Sequence, residues 1–490
     1  MKNRILPAMT RCFAMLLCCF FAMNVQTMQA QVPYLEYNAS TNSFDSKIAA
    51  SCTSITNATT EMGSDNTETW YVVDGYVTNT NRIRVKGTVH LILVDGRNLN
   101  ATSGIYVPSG TRLIIHGQTN GTGQLTANGR SGGHSGIGGN EHESSAMGNI
   151  TIHGGKVTAT GWNGGAGIGS GHNGVASTIT IHGGQITATG GACGSSGAGA
   201  GIGSGYSQDN GTIIITGGKV TANGAIQGGQ WSAGIGAGSH GNYGGGGGTI
   251  TITGGQINAT GGGNNNGIGY GWGGGGGNVT LSCSRGSDYI TSIKYGASTV
   301  RVANGKSLYN GTELLSGTIS DFSKIDGKTL RAALGITLLT GATVSGTDVF
   351  TQGDGACAIS GTTVTLGHGS VPAGYDNPFV GYSVKDANNN DIAVTQSGST
   401  YTFVMPDNDV TVKAMWTLIA YNITYSGVEN ATFATANPTI YNVESDDITL
   451  VNPTREGFYF VGWTGADISG SSTHVTIPTG SMGNRSYTAT

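Results

Sequence analysis

The most regular feature of the chain is an alternation of apolar and small polar side chains in very short runs separated by glycine. It reads NITIHGGKVTATG at 149 to 161, TITIHGGQITATG at 178 to 190, TIIITGGKVTANG at 212 to 224 and TITITGGQINATG at 249 to 261. A Gly-Ile-Gly follows each run, at 167 to 169, 201 to 203, 234 to 236 and 267 to 269, and an earlier copy stands at 136 to 138. Period-two alternation over four or five residues is the signature of a half-buried strand, and glycine clusters mark the corners between strands. Each unit therefore offers three short strands and has no core by itself. The first isoleucines, Ile150, Ile179, Ile213 and Ile250, recur at intervals of about 30 to 37 residues, the range of solenoids, propellers and arrays.

Stacking chooses among these. Laid over one another, the units align Ile150, Ile179, Ile213 and Ile250; Leu125, Val157, Ile186, Val220 and Ile257; and Ile137, Ile168, Ile202, Ile235 and Ile268. Such ladders of like side chains fill one continuous core in a parallel β-helix, whereas a propeller blade needs four longer antiparallel strands. The predicted fold is all-β: a right-handed parallel β-helix followed by small β-modules, the last of them β-grasp-like. A looser copy beginning at Leu113, and the apolar runs WYVVDG, IRVKG, HLILVDG and IYVPSG between 70 and 110, read as earlier coils.

Composition narrows the class. Glycine is 87 of 490 residues, without the strict triplet period of collagen, and the net charge is only -4, so no basic surface advertises nucleic acid. Lys2 and Arg4 precede an apolar run from Cys12 to Met23, and Ala30 supplies a small residue for cleavage; this is the pattern of a secretory signal peptide. The run is too short to span a bilayer, so a secreted or cell-surface protein with no transmembrane segment in the mature chain is expected. Cys18 and Cys19 lie behind Leu16 and Leu17, not behind the small residues of a lipid-attachment site. Past the signal, Cys52, Cys193, Cys283 and Cys357 are far apart, with neither metal-ligand spacing nor a disulfide framework.

The run HLILVDGRNLNATSGIYVPSGTRLIIHG, followed by ITI-x-GG-x-VTATG and GAGIGSG, resembles Gly-rich β-helix surface proteins of gut-type Gram-negative bacteria, some of them related to carbohydrate-binding domains. From Tyr421, YNITYSGVENATF, NPTIYNVESDDITLVNPTREGFYFVGWTG and NRSYTAT resemble an internalin-type B-repeat. That resemblance implies a β-grasp-like unit with an aromatic cluster at Phe458, Phe460 and Trp463, possible contact with a protein partner, and a last strand cut short or a fragment ending at Thr490. The segment ending FVMPDNDVTVKAMW is similar to small bacterial surface repeats. The expected organisation is a signal peptide at 1-30, a cap or mobile segment at 31-69, the β-helix at 70-285, and a β-rich capping or linking region at 286-365. A small surface repeat at 366-416 and the B-repeat at 420-490 complete it.

Chemistry is sparse along the coils. Between residues 100 and 282 the carboxylates are Glu141, Glu143 and Asp209. A glycosidase needs two carboxylates facing one scissile bond and a calcium-assisted lyase an acidic cluster with a base; a solvated surface pair is the simpler reading of Glu141 and Glu143. His116, His153 and His182 share one register, which suits either a polar ladder continued by Thr216 and Thr253 or a transition-metal site. Loop aromatics Trp162, His172, Tyr206, Trp231, Tyr243, Tyr270 and Trp272 lie beside Asn, Gln and Thr. Rings in such company either cover loop backbone or stack on the apolar faces of sugars. The expected function is non-catalytic adhesion or carbohydrate binding, without cofactor or metal. The alternatives are a polysaccharide-degrading enzyme and a purely structural stalk.

Overall fold

The computed structural model describes residues 31 to 194, 197 to 207, 210 to 239 and 246 to 490; the proposed signal peptide, Asp209 and Tyr243 lie outside them. The chain divides into two compact units, 1 to 331 and 332 to 490.

Three parallel sheets wrap the first unit, two of eleven strands and one of nine among the described residues. The T-I-T-I runs stack in sheet 1, the K-V-T-A-T runs in sheet 2 and the Gly-Ile-Gly segments in sheet 3. Register is kept from coil to coil: Ile150 pairs with Ile179, Ile179 with Ile213 and Ile213 with Ile250. Val157, Ile186, Val220 and Ile257 follow one another in sheet 2, as do Ile137, Ile168, Ile202, Ile235 and Ile268 in sheet 3. All of these side chains are fully buried, each contributing roughly 1.5–3 kcal/mol of transfer free energy. A second sheet 2 row, Ala127, Ala159, Ala188, Ala222 and Ala259, is buried beside them and keeps the coil thin there.

Sheet 3 explains the second glycine of each Gly-Ile-Gly. Gly169 has φ of 141°, and a Cβ there would lie 1.7 Å from the carbonyl oxygen of Gly203 on the next coil; at Gly203 the corresponding distance to Gly236 is 1.9 Å. No side chain fits under the overlying carbonyl, so glycine is the only residue compatible with this spacing.

The boundaries differ from those expected at both ends. Residues 31 to 69 are ordered: Thr53–Ser54 and Glu61–Met62 already pair in sheets 1 and 3. Ahead of them a hairpin, β1 (Val32–Asn38) and β2 (Ser43–Ala49), lies on the outer face of sheet 1. There Val32, Tyr34 and Ala49 bury outward-facing Val72 and Ile92. Alternation put Ile92 outside the core, and the hairpin supplies its missing cover.

The 286-365 region is likewise not one cap. Tyr289–Ser292, Tyr295–Gly296 and Thr299–Val302 add a further parallel coil. Thr318–Ile319 and Thr329–Ala332 then pair antiparallel with its strands, ending the ladder whose open edge would template association. Leu334–Leu339 belongs to the second unit, parallel with Val410–Leu418 at the middle of a five-stranded sheet. The expected repeat at 366-416 is thus part of a larger two-sheet module, with Ile336, Val364, Phe403, Val412 and Trp416 in its interior. In the last module Tyr421–Ser426 and Arg485–Ala489 run parallel at the centre of a four-stranded sheet, flanked by antiparallel Ile440–Tyr441 and Trp463–Gly465. That is a β-grasp strand order. Trp463 is fully buried and Phe460 packs on it, but Phe458 is 65% exposed under the guanidinium of Arg455, so the implied aromatic cluster is only partly a core.

Gly169→Ala is expected to prevent accumulation of folded β-helix, and Ile186→Ala to destabilise it by about 2–5 kcal/mol. Gly75→Ala, where the added methyl meets open space, is the control. Thermal unfolding followed by circular dichroism distinguishes the three.

Candidate functional site

Two surfaces of the β-helix gather functional side chains. The first lies over sheet 3, whose strands are only two or three residues long, so that the loops before and after each strand meet above it. Backbone bonds tie them together: His172 N–H to Gly133 O, Tyr206 N–H to Gly164 O, and Trp272 N–H to Trp231 O. These bonds hold His172, Tyr206, Trp231 and Trp272, taken one by one from the sequence, in the loops at that edge, and the Trp162 and Tyr270 N–H groups are tied likewise to His134 O and Gly296 O. Trp162 is 57% exposed and the other five are half-buried. His172 and Tyr206 meet edge to face at 5.0 Å, and His142 lies 5.6 Å from His172. Tyr206 also covers Gly197 and Tyr270 lies against Gly296, so part of each ring does the covering work that the sequence allowed as an alternative.

Half-buried Arg82 fixes the early end of this edge. Its guanidinium donates to the carbonyls of Ser103, Ser135 and Gly139 and to the Asn140 side chain, joining loops of successive coils, and burial lowers its pKa to about 10. Nearby, Glu141 pairs with His142 at 3.3 Å. Glu143 hydrogen-bonds Tyr106, whose hydroxyl is pushed up to about 12 by burial and by that carboxylate. The two acids thus face different partners. Cys193 approaches His172 at 3.7 Å, but burial raises its pKa, the opposite of an activated thiol. Cys283 and Cys357 are buried thiols, and the four described cysteines are unbridged.

The second surface is the outer face of sheet 1 under the hairpin. His116, His153 and His182 do stack, at 5.0 and 5.2 Å, and the stack is longer than the sequence suggested. His90 adds a ring 5.2 Å from His116, and Trp70 lies 3.9 Å from His90. His90 stands opposite Ile114 rather than His116 in the strand register, which is why aligning HGG motifs missed it. The ring nitrogens have partners: Glu68 and His116 for His90, Leu35 O for His116, the Tyr37 N–H for His153 and the Thr216 hydroxyl for His182. Tyr37 stacks on His182 at 4.0 Å. This is a hydrogen-bonded polar stack that seats the hairpin, and no group of three or more metal-ligating side chains is gathered among the described residues.

An all-β chain with a long parallel β-helix and histidine- and aromatic-bearing loops belongs, as a class, with the solenoid proteins. Three stretches, 150–172, 179–206 and 213–239, match the Beta helix repeat family model. No curated protein matches the chain, and no solved structure does. Among the described residues, no helix is long and apolar enough to cross a membrane.

The stack makes the hairpin acid-sensitive. Burial depresses His116 to about 4 and His153 to about 3, the latter helped by neighbouring rings. Both are neutral when folded, and His153 accepts a hydrogen bond only in that form. The unfolded chain takes up protons first as pH falls below about 6.5, so stability is full above that value and declines towards pH 4. Fully buried His116 alone accounts for about 2 kcal/mol lost by pH 5. Trp70 fluorescence during urea unfolding at pH 7 and pH 5 should show the loss, and His116→Gln should lessen it, the share of His153 remaining; equal midpoints would refute the assignment.

Proposed function

We propose that the chain is an exported, non-catalytic surface protein that binds carbohydrate along the sheet 3 edge of its β-helix. The 332 to 490 modules act as a spacer and as a contact for a protein partner, the role that the B-repeat resemblance suggests. One observation carries the reading: short strands place partly exposed His172, Tyr206 and Trp272 at the same position after sheet 3 on three coils, with Trp162 and Trp231 in the loops before it. Sugar rings offer apolar faces to aromatics and hydroxyls to amides, and a row repeating with the coil suits a polymer better than a single small molecule. An acid–base pair for hydrolysis is not favoured, since Glu141 is engaged with His142 and Glu143 with Tyr106.

On a glycan array the whole secreted chain should bind a restricted set of polysaccharides. Trp162→Ala with Trp272→Ala should weaken that binding about tenfold or more, in line with about 1 kcal/mol per lost ring contact. Reducing-end release that disappears in Glu141→Gln, Glu143→Gln would instead establish an enzyme, and an array without signal would leave a structural stalk.

A further inference from the structure

A cleft of about 330 Å³ lies between the tip of the N-terminal hairpin and the corner where sheet 1 turns into sheet 2. One wall is Tyr37, Asn42 and Phe44; the floor is the Gly-Gly pairs of successive coils, Gly183-Gly184 and Gly217-Gly218, with Gly255 beyond them. The floor carries no side chains, so a flat ring could approach its backbone closely. Phe44, 38% exposed, leans over Gly183.

The protein itself shows what this corner accepts. Opposite Gly255, on the following coil, Asp288 turns its carboxylate back onto the corner: one oxygen takes the Gly255 N–H at 2.9 Å, the other the amides of Ser284 and Arg285 at 2.9 Å each. Gly218 and Gly184 occupy the same register on the two preceding coils, just before Lys219 and Gln185. Their φ angles, 87° and 89°, are close to the 94° of Gly255. Their amides have no acceptor among the described residues. Lys219 and Arg285 are exposed at the margins of the cleft and have no acidic partner among the described residues; the Arg285 guanidinium donates a hydrogen bond to Asn42 O. The carboxylate of Asp288 already takes three backbone amides, and Glu36 on the hairpin is paired with Lys47.

We propose that this cleft binds the carboxylate of an acidic saccharide, a uronic-acid unit. The carboxylate repeats at Gly218 the bond that Asp288 makes at Gly255, Lys219 and Arg285 supply charge, and the sugar ring lies on the glycine floor against Phe44. Backbone N–H donors combined with cations favour an anion, and the bare floor with an aromatic wall favours a ring over an extended acidic peptide. The proposal extends the glycan-binding reading to a second place, yet uses none of the sheet 3 rings.

The test is calorimetry of the whole secreted chain with a short oligogalacturonide, its carboxyl-reduced neutral counterpart, and oligoglutamate. The uronide should bind, more weakly as salt is raised, and the reduced sugar and the peptide should bind at least tenfold more weakly. Lys219→Gln and Arg285→Gln should each cost about tenfold, while Lys156→Gln, in the same ladder but outside the cleft, should cost nothing. Both are exposed side chains, and unchanged circular dichroism verifies folding. Trp162→Ala with Trp272→Ala should leave uronide binding intact, so the two sites fail separately. No uronide binding, equal affinity for the reduced sugar or for oligoglutamate, or indifference to Lys219 and Arg285 would overturn the assignment.

Discussion

Everything in the β-helix depends on one contact, the passage of a peptide carbonyl on one coil directly over the backbone of the coil before it. Strand spacing in a sheet is about 4.8 Å, and a solenoid applies that spacing to three faces at once. Where the outer side chain would point into the next carbonyl, as at Gly169 and Gly203, only hydrogen is tolerated. Where it points inward, the space is set by the residue above, so Ile follows Ile and Ala follows Ala. Repetition in the sequence is this spacing written out.

The same constraint decides what could be read beforehand. Core ladders and coil phase were legible because a one-residue slip would turn Val157 or Ile186 out into water and their alanine neighbours out of register. The hairpin over sheet 1 was not legible, because strand alternation classes Trp70, His90 and Ile92 as outward positions and carries no sign of a second layer. An excess of large residues at those places, against Thr151, Thr180 and Thr251 in the His90 row and Thr216 and Thr253 at the end of the Ile92 row, was the available signal. The terminal coil was missed for the opposite reason: Tyr295 replaces Ile in the sheet 3 ladder and Asp288 replaces Gly at the corner, so pattern matching stopped one turn early. In the second unit, Leu334–Leu339 pairs with a strand more than 70 residues away, a distance over which no periodicity speaks.

The candidate site was legible in its parts and not in its geometry. Ring-bearing positions could be picked out beside each Gly-Ile-Gly, yet their convergence follows from the two-residue length of the sheet 3 strands, which leaves the flanking loops nowhere to go except across the strand. His172, Tyr206 and Trp272 therefore stand at the same position after the strand, four residues past Ile168, Ile202 and Ile268, while the coil of Ile235 places Ser239 there. Glu141 and Glu143, two residues apart in sequence, find different partners, His142 and Tyr106.

The interior of the solenoid is filled mostly by aliphatic side chains from coil to coil, so the coils differ chiefly on their outer surfaces, and the two surfaces found here differ in kind. Over sheet 3 the backbone is satisfied by loop-to-loop bonds, so what remains to interact is side chains, chiefly rings. At the sheet 1–sheet 2 corner the side chains are absent and the backbone itself is the donor, with φ near 90° turning amides away from the ladder. Asp288 fills the end of that row with a carboxylate from within the chain, as a capping residue fills the end of a helix. The amides before it repeat the same offer to solvent, and the hairpin held by neutral imidazoles encloses them on one side. The histidine stack and the corner cleft are thus connected through one short element, β1 and β2, which packs on the one and walls the other.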